Sequence, residues 1–127
     1  MTFIKNRIYC RLFNLTFLIA IFFSVTSCEL EDSNISSSDL EVYVSGTLSG
    51  NPRSGLRVTV FGSRSDAKDE VNAVTLTQIT DNNGLVFFKN LDSGFSYWVR
   101  VDAILIRNII STDNLDEGFN EMSIKIL

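Results

Sequence analysis

No histidine occurs in this chain, and its two cysteines are Cys10 and Cys28. Serine-histidine-aspartate and cysteine-histidine catalysis and the usual zinc sites are therefore excluded, since each needs an imidazole or several thiolates at one point. No glycine-rich loop of the phosphate-cradling kind is present. Fifteen Asp and Glu residues remain as candidate acid-base groups. A carboxylate pair hydrolyses glycosides only across a cleft that holds the sugar, and a small β domain offers no deep cleft. The expectation is that the chain is not an enzyme and takes no cofactor. Asp113, Asp116 and Glu117 sit close together as hard oxygen donors of the type calcium prefers. Their spacing does not match an EF-hand loop, and a solvated acidic loop is the simpler reading, so no metal is assigned.

Cys28 remains. Lys5, Arg7 and Arg11 precede an almost wholly apolar run from Leu12 to Val25, and small residues lead to the cysteine. This is the anatomy of a signal peptide. The run has 14 residues, short of the ~20 that cross a bilayer as a helix. Val25, Thr26, Ser27 and Cys28 resemble the lipobox of bacterial lipoproteins, with valine in place of the usual leucine. The resemblance implies cleavage after residue 27 and acylation of Cys28. The acidic residues Glu29, Glu31 and Asp32 resemble the surface-export signal of Bacteroidetes lipoproteins. Two or three acyl chains anchor firmly where one binds marginally. The alternative is an ordinary secreted chain with a leftover thiol.

Cleavage would leave 100 residues, enough for one domain with a single core. Without Lys5, Arg7 and Arg11, eight basic residues face fifteen acidic ones, a net charge of about −7. Such a surface repels phosphate backbones, so no nucleic-acid partner is expected. Glu29 to Asp39 is rich in serine and acids and poor in apolar residues, which predicts a flexible tether over 28–39. As a random coil the eleven residues from Glu29 to Asp39 span roughly 18 Å.

From Leu40 to Leu127 the hydrophobic pattern has period two with turn residues between segments, the signature of half-buried strands. Val42 and Val44 alternate with polar neighbours; Leu56, Val58 and Val60 share a face, as do Met122, Ile124 and Ile126. The segment 73–80 is β-branched and reads as a strand, and so does 95–106. Ser63 to Asn72 reads as a long exposed loop, with a short helix as the alternative. Arg107 to Gly118 reads as an irregular acidic connection. About seven strands with turns every 8 to 12 residues predict an all-β, immunoglobulin-like or prealbumin-like Greek-key sandwich.

The stretch Thr80 to Ala103 resembles the carboxypeptidase regulatory-like and prealbumin-like sandwich domains of bacterial surface proteins. Thr80, Asp81, Gly84, Phe88, Leu91, Gly94 and Tyr97 occupy the positions of their T-D-x-x-G turn, aromatic strand and L-x-x-G-x-x-Y corner. Ser93 stands where those domains often have proline. In physical terms, Asp81 can cap a tight turn while Gly84 takes positive φ. Leu91 and Tyr97 fit a corner at which a tyrosine hydroxyl bonds backbone. Some cell-surface domains of related shape carry a lysine-asparagine crosslink, but here the first strand has no lysine, Lys68 falls in a predicted loop, and Lys89 and Lys125 fall on polar faces.

Alternation sends Trp98, Arg100 and Asp102 outward. An exposed Trp98 beside Arg100 would suit a protein interface, where both types are enriched among hot spots, or would stack on a sugar ring. The competing reading is that 63–72 covers it. Phe61 and Phe87 raise the same question. The expectation is an outer-membrane, lipid-anchored module at the cell surface that docks on a larger envelope protein, or alternatively binds glycan.

Overall fold

The computed structural model describes residues 36–127, in which seven strands and one short helix build two stacked sheets. The strands are β1 (Ser37–Gly46), β2 (Arg57–Phe61), β3 (Gln78–Ile79), β4 (Leu85–Asp92), β5 (Trp98–Asp102), β6 (Arg107–Ser111) and β7 (Gly118–Ile126). The helix α1 (Arg64–Asp69) lies between β2 and β3. One sheet has the order β4-β1-β7, the other β3-β2-β5-β6. All pairings are antiparallel except β1 with β7, which run parallel in unbroken register from Ser38↔Gly118 to Gly46↔Ile126. The expected β-sandwich is thus the fold.

Period-two alternation sends one face of each strand into a shared core. Leu40, Val42 and Val44 of β1 meet Val58, Val60, Val99 and Val101 of the opposite sheet, with Phe88, Ile124 and Ile126 filling the flanks. Branched and aromatic side chains suit this half-buried pleated surface. Among the described residues, no helix is long and apolar enough to cross a membrane.

Besides β5, which spans Trp98–Asp102 where 95–106 was expected, four boundaries differ from the sequence expectation. The first strand opens at Ser37, three residues early, because Ser38 is buried with its hydroxyl donating to the Asp116 carbonyl at 2.7 Å. Arg107–Ser111 is a strand, pairing with β5 from Trp98↔Ser111 to Asp102↔Arg107. The β-branched segment 73–80 contributes only two strand residues: Thr75 and Thr77 spend their hydroxyls on the Val60 amide (3.2 Å) and the Thr59 hydroxyl (2.7 Å), replacing a ladder. Within Ser63–Asn72 the helical alternative holds. Ser63 caps it by accepting from the Asp66 amide at 3.2 Å, and Glu70 ends it in the left-handed region at φ 56. Six residues are too few to hold a helix in water alone; tertiary contacts hold this one.

Two local structures follow the sequence reading closely. Asp81 accepts from the amides of Asn83 (2.8 Å) and Leu85 (2.9 Å), closing the turn into β4. Gly84 there has φ +74, and a Cβ on it would stand 2.5 Å from the Val44 carbonyl oxygen, so both conformation and space demand glycine. At the corner before β5, the buried Tyr97 hydroxyl accepts from the Asp92 amide at 3.0 Å and donates to the Asp92 carbonyl at 3.4 Å. Leu91 is buried beside it, and Gly94 turns the chain at φ +79.

Candidate functional site

The outer face of the β2/β5 sheet is where Phe61, Trp98 and Arg100 were expected to meet a partner. Alternation does point them outward, but α1 lies over them. Phe61 is 0% exposed and Arg100 3% exposed. Neither is a surface residue, which corrects the expected interface; Trp98 is half-buried, with the Arg64 guanidinium 5.8 Å above its ring.

Arg100 is what fixes the helix to the sheet. Its Nε donates to both carboxylate oxygens of Asp102 (3.0 and 2.9 Å), one terminal nitrogen donates to the Ala67 carbonyl at 2.9 Å, and the other to Glu70 at 3.2 Å. Glu70 also pairs with Arg57 at 3.5 Å and Asp102 with Arg107 at 3.4 Å. Five charges of alternating sign therefore run across the sheet, with the buried guanidinium at the centre. A planar, delocalised cation suits such a site because each of its three nitrogens meets an acceptor. Ala67, 0% exposed, lets the helix approach closely.

The outer face of the β4-β1-β7 sheet, by contrast, is open among the described residues. Phe87 lies half-buried on it, stacked on Phe119 with ring centroids 6.1 Å apart, and the Lys89 ammonium sits 5.6 Å from the Phe87 ring. Glu41 opposite Phe87, Asp39 opposite Phe119, and Lys89 and Glu121 two residues along the two strands neighbour this pair, so the face is mixed in charge rather than apolar.

The acidic loop does not gather into a metal centre. Among the described residues no group of three carboxylates converges as a ligand set, which leaves the calcium candidates Asp113, Asp116 and Glu117 without a geometry. Asn120 ties this loop instead, its side chain accepting from the Asp116 amide (2.9 Å) and donating to the Asp116 carbonyl (2.8 Å). Cys28, Glu29, Glu31 and Asp32 lie outside the described residues.

Sequence reasoning missed one feature. At the end of the sandwich where β1 finishes, the turn joining β5 and β6 exposes Ile104 fully and Leu105 to 93%, with Leu48 and Leu127 also exposed. Arg53, Leu56, Ala103, Ile104, Leu105 and Leu127 line an adjacent cleft of about 380 Å³. The segments that make this tip, 47–56, 103–107 and 124–127, carry Arg53, Arg107 and Lys125 and no acid. The signal in the sequence is "AILIR", which reads as the tail of a long strand; the strand stops at Asp102, and the Ala103 amide bonds the Ile106 carbonyl at 2.8 Å to form a tight turn.

No protein-family model matches this chain, and no curated protein is similar enough to match it. Solved structures do match. The Bacillus anthracis TIE protein is 17% identical over 71% of this chain, with a TM-score of 0.52, and the chain spans 16% of its length. BcpA, the major pilin subunit of Bacillus cereus, solved as a D312A variant, is 13% identical over 71% of the chain, with a TM-score of 0.54, and the chain spans 30% of it. The expectation that the chain is not an enzyme is corrected by a third neighbour, an intradiol ring-cleavage dioxygenase from Tetranychus urticae, 18% identical over 58% of this chain at a TM-score of 0.41. Likeness at that level assigns no reaction. What the comparisons establish is the fold: a β-sandwich of the kind found in bacterial pilin-like proteins.

Proposed function

We propose that this chain is a lipid-tethered module of a bacterial outer membrane that docks on a larger envelope protein through its aliphatic tip. The observation that carries the reading is the tip's position. Strand β1 begins at Ser37 and runs ten residues to the tip, about 33 Å at the usual rise. An anchor at Cys28 would hold the domain by the end that carries Asp92, Asp113, Asp116 and Glu117, and would present Ile104 and Leu105 away from the bilayer.

Two chemical features support a protein partner there. Protruding aliphatic side chains beside a cleft offer knob and hole together, the complementarity that interface cores use. Arg107 is paired with Asp102, but Arg53 and Lys125 form no ion pair among the described residues, and they favour an apolar surface rimmed by carboxylates, which speeds encounter and fixes orientation. Arg64 over one face of the Trp98 ring leaves less of it for a sugar to stack on, which favours the protein partner over glycan.

The test is a photoreactive residue at Leu105 of the full chain, irradiated on intact cells, with Phe87 as the control position. One envelope protein captured from position 105, and lost when Arg53 and Arg107 become Glu, is the expected result. Silence at 105, or equal capture from 87, overturns the docking reading. Retention of Cys28→Ser in the membrane fraction would overturn the anchor separately.

A further inference from the structure

Three of the four sheet edges are blunted. Strand β3 has two residues and β6 five. Strand β4 carries a bulge, where the register with β1 shifts between Ser38 and Leu40 and Asn90 takes φ 60. The Gln78 side chain also covers β4, donating to the Phe87 carbonyl at 2.7 Å. Bulges, short strands and side-chain cover are the usual means of preventing edge-to-edge pairing. Strand β7 is neither short nor bulged: nine residues, no proline, and unbroken register with β1, its only partner strand among the described residues.

The direction of its free groups follows from the ladder. The Ile126 carbonyl accepts from the Thr47 amide at 2.7 Å and so faces β1. In a parallel pair, successive residues face opposite sides, so Phe119, Glu121, Ser123 and Lys125 turn their N–H and C=O groups to the open edge. The one described group that reaches this edge is the Asn108 amide, 3.5 Å from the Lys125 carbonyl. That bond is long, and the carbonyl keeps a second lone pair.

We infer that the β7 edge is a self-association surface, on which a second copy of the chain pairs its own β7 antiparallel about Met122. This register sets Glu121 opposite Ser123 of the partner subunit and Phe119 opposite Lys125 of the partner subunit. All four are edge-facing residues, so each pair exchanges both of its backbone bonds. Their side chains lie together on the outer face, with Lys125 diagonal to Glu121 of the partner subunit and beside the ring of the partner subunit's Phe119. Opposite charges on diagonal neighbours and a cation near an aromatic face both favour pairing. Glu121 is also diagonal to Glu121 of the partner subunit, a single like-charge pair on the two-fold, but two Lys125–Glu121 and two Lys125–Phe119 contacts stand against it, and this balance selects a second copy over an unrelated strand. The result is one continuous six-stranded sheet, with the mixed aromatic and charged face extended across both copies.

Zero-length carbodiimide crosslinking of the full chain in non-ionic detergent, followed by peptide mass spectrometry, tests the register. A Glu121–Lys125 crosslink is the expected product. Within one chain these residues are four apart on a strand, about 13 Å, too far for direct amide formation, so the product reports the dimer alone. In sedimentation of the same sample, Lys125→Glu should weaken self-association about tenfold, and Glu121→Lys with Lys125→Glu should restore it to near the original value. Both positions are solvent-facing, and an unchanged unfolding midpoint checks that the variants fold. A chain that sediments as a monomer at all concentrations, or a dimer whose crosslinks exclude this pair or whose strength ignores the charge change, overturns the inference.

Discussion

The two sheets present outer faces written in the same alternating code, and one of them is covered at its centre. On the β2/β5 sheet, Phe61 and Arg100 are buried under a six-residue helix, and Thr59 is buried beside Thr77. On the β4/β1/β7 sheet, Phe87, Glu41 and Glu121 have no layer above them among the described residues. Alternation decides which side of a strand a residue occupies. Whether that side is surface depends on a connection elsewhere in the chain. The polar stretch 63–72 becomes a cover because Ala67 lets it approach and Arg100 meets its end with matched hydrogen bonds.

The contrast breaks most sharply on two phenylalanines that a strand pattern treats alike. Phe61→Ala is expected to cost about 3–5 kcal/mol, the range for a fully buried aromatic truncated to alanine. Denaturant unfolding measures it; a loss below about 1 kcal/mol would mean that the helical cover yields to solvent. Arg100→Ala comes next, at about 2–3 kcal/mol, because it leaves the Ala67 carbonyl without its buried donor and leaves Asp102 and Glu70 with only their outer partners, Arg107 and Arg57. Hydrogen exchange on α1 should rise with it. If the protein is destabilised while α1 stays protected, the guanidinium is not what holds the helix. Phe87→Ala should cost only about 1 kcal/mol, from the loss of its stacking on Phe119.

Much of the frame was legible because it rests on local rules. The alternation of Val42, Val44, Val58 and Val60 gave the core, and "TDNNG" gave its turn because Asp81 and Gly84 act on their own neighbourhood. The Leu91 and Tyr97 corner was legible for the same reason. The exposed tip and the cover were not, since both depend on where a segment stops. "FSYWVRVDAILI" has no internal mark that pairing ends at Asp102. It ends there because β2 begins opposite, at Arg57, in a different part of the chain. Arg107–Ser111 was hidden in the reverse way: its strand is given by its pairing with β5, and Asn108, its second residue, breaks the apolar pattern.

The edges sharpen the same comparison at smaller energies. Gln78 sits on the last strand of one sheet and bonds the last strand of the other, donating to the Phe87 carbonyl at 2.7 Å and accepting from the Phe87 amide at 3.4 Å. One side chain thus does for β4 what a neighbouring strand would do, and it closes the seam between the sheets. Gln78→Ala should cost about 0.5–1 kcal/mol, the net worth of a partly exposed hydrogen bond. Its clearer effect is local: the Phe87 amide, protected in the parent chain, should exchange at the rate of an open edge, matching the amides of Glu121 and Ser123 in monomeric protein. Unchanged protection at Phe87 would mean that the bulge at Asn90 alone closes that edge. The difference between β4 and β7 would then lie in backbone geometry rather than in the glutamine.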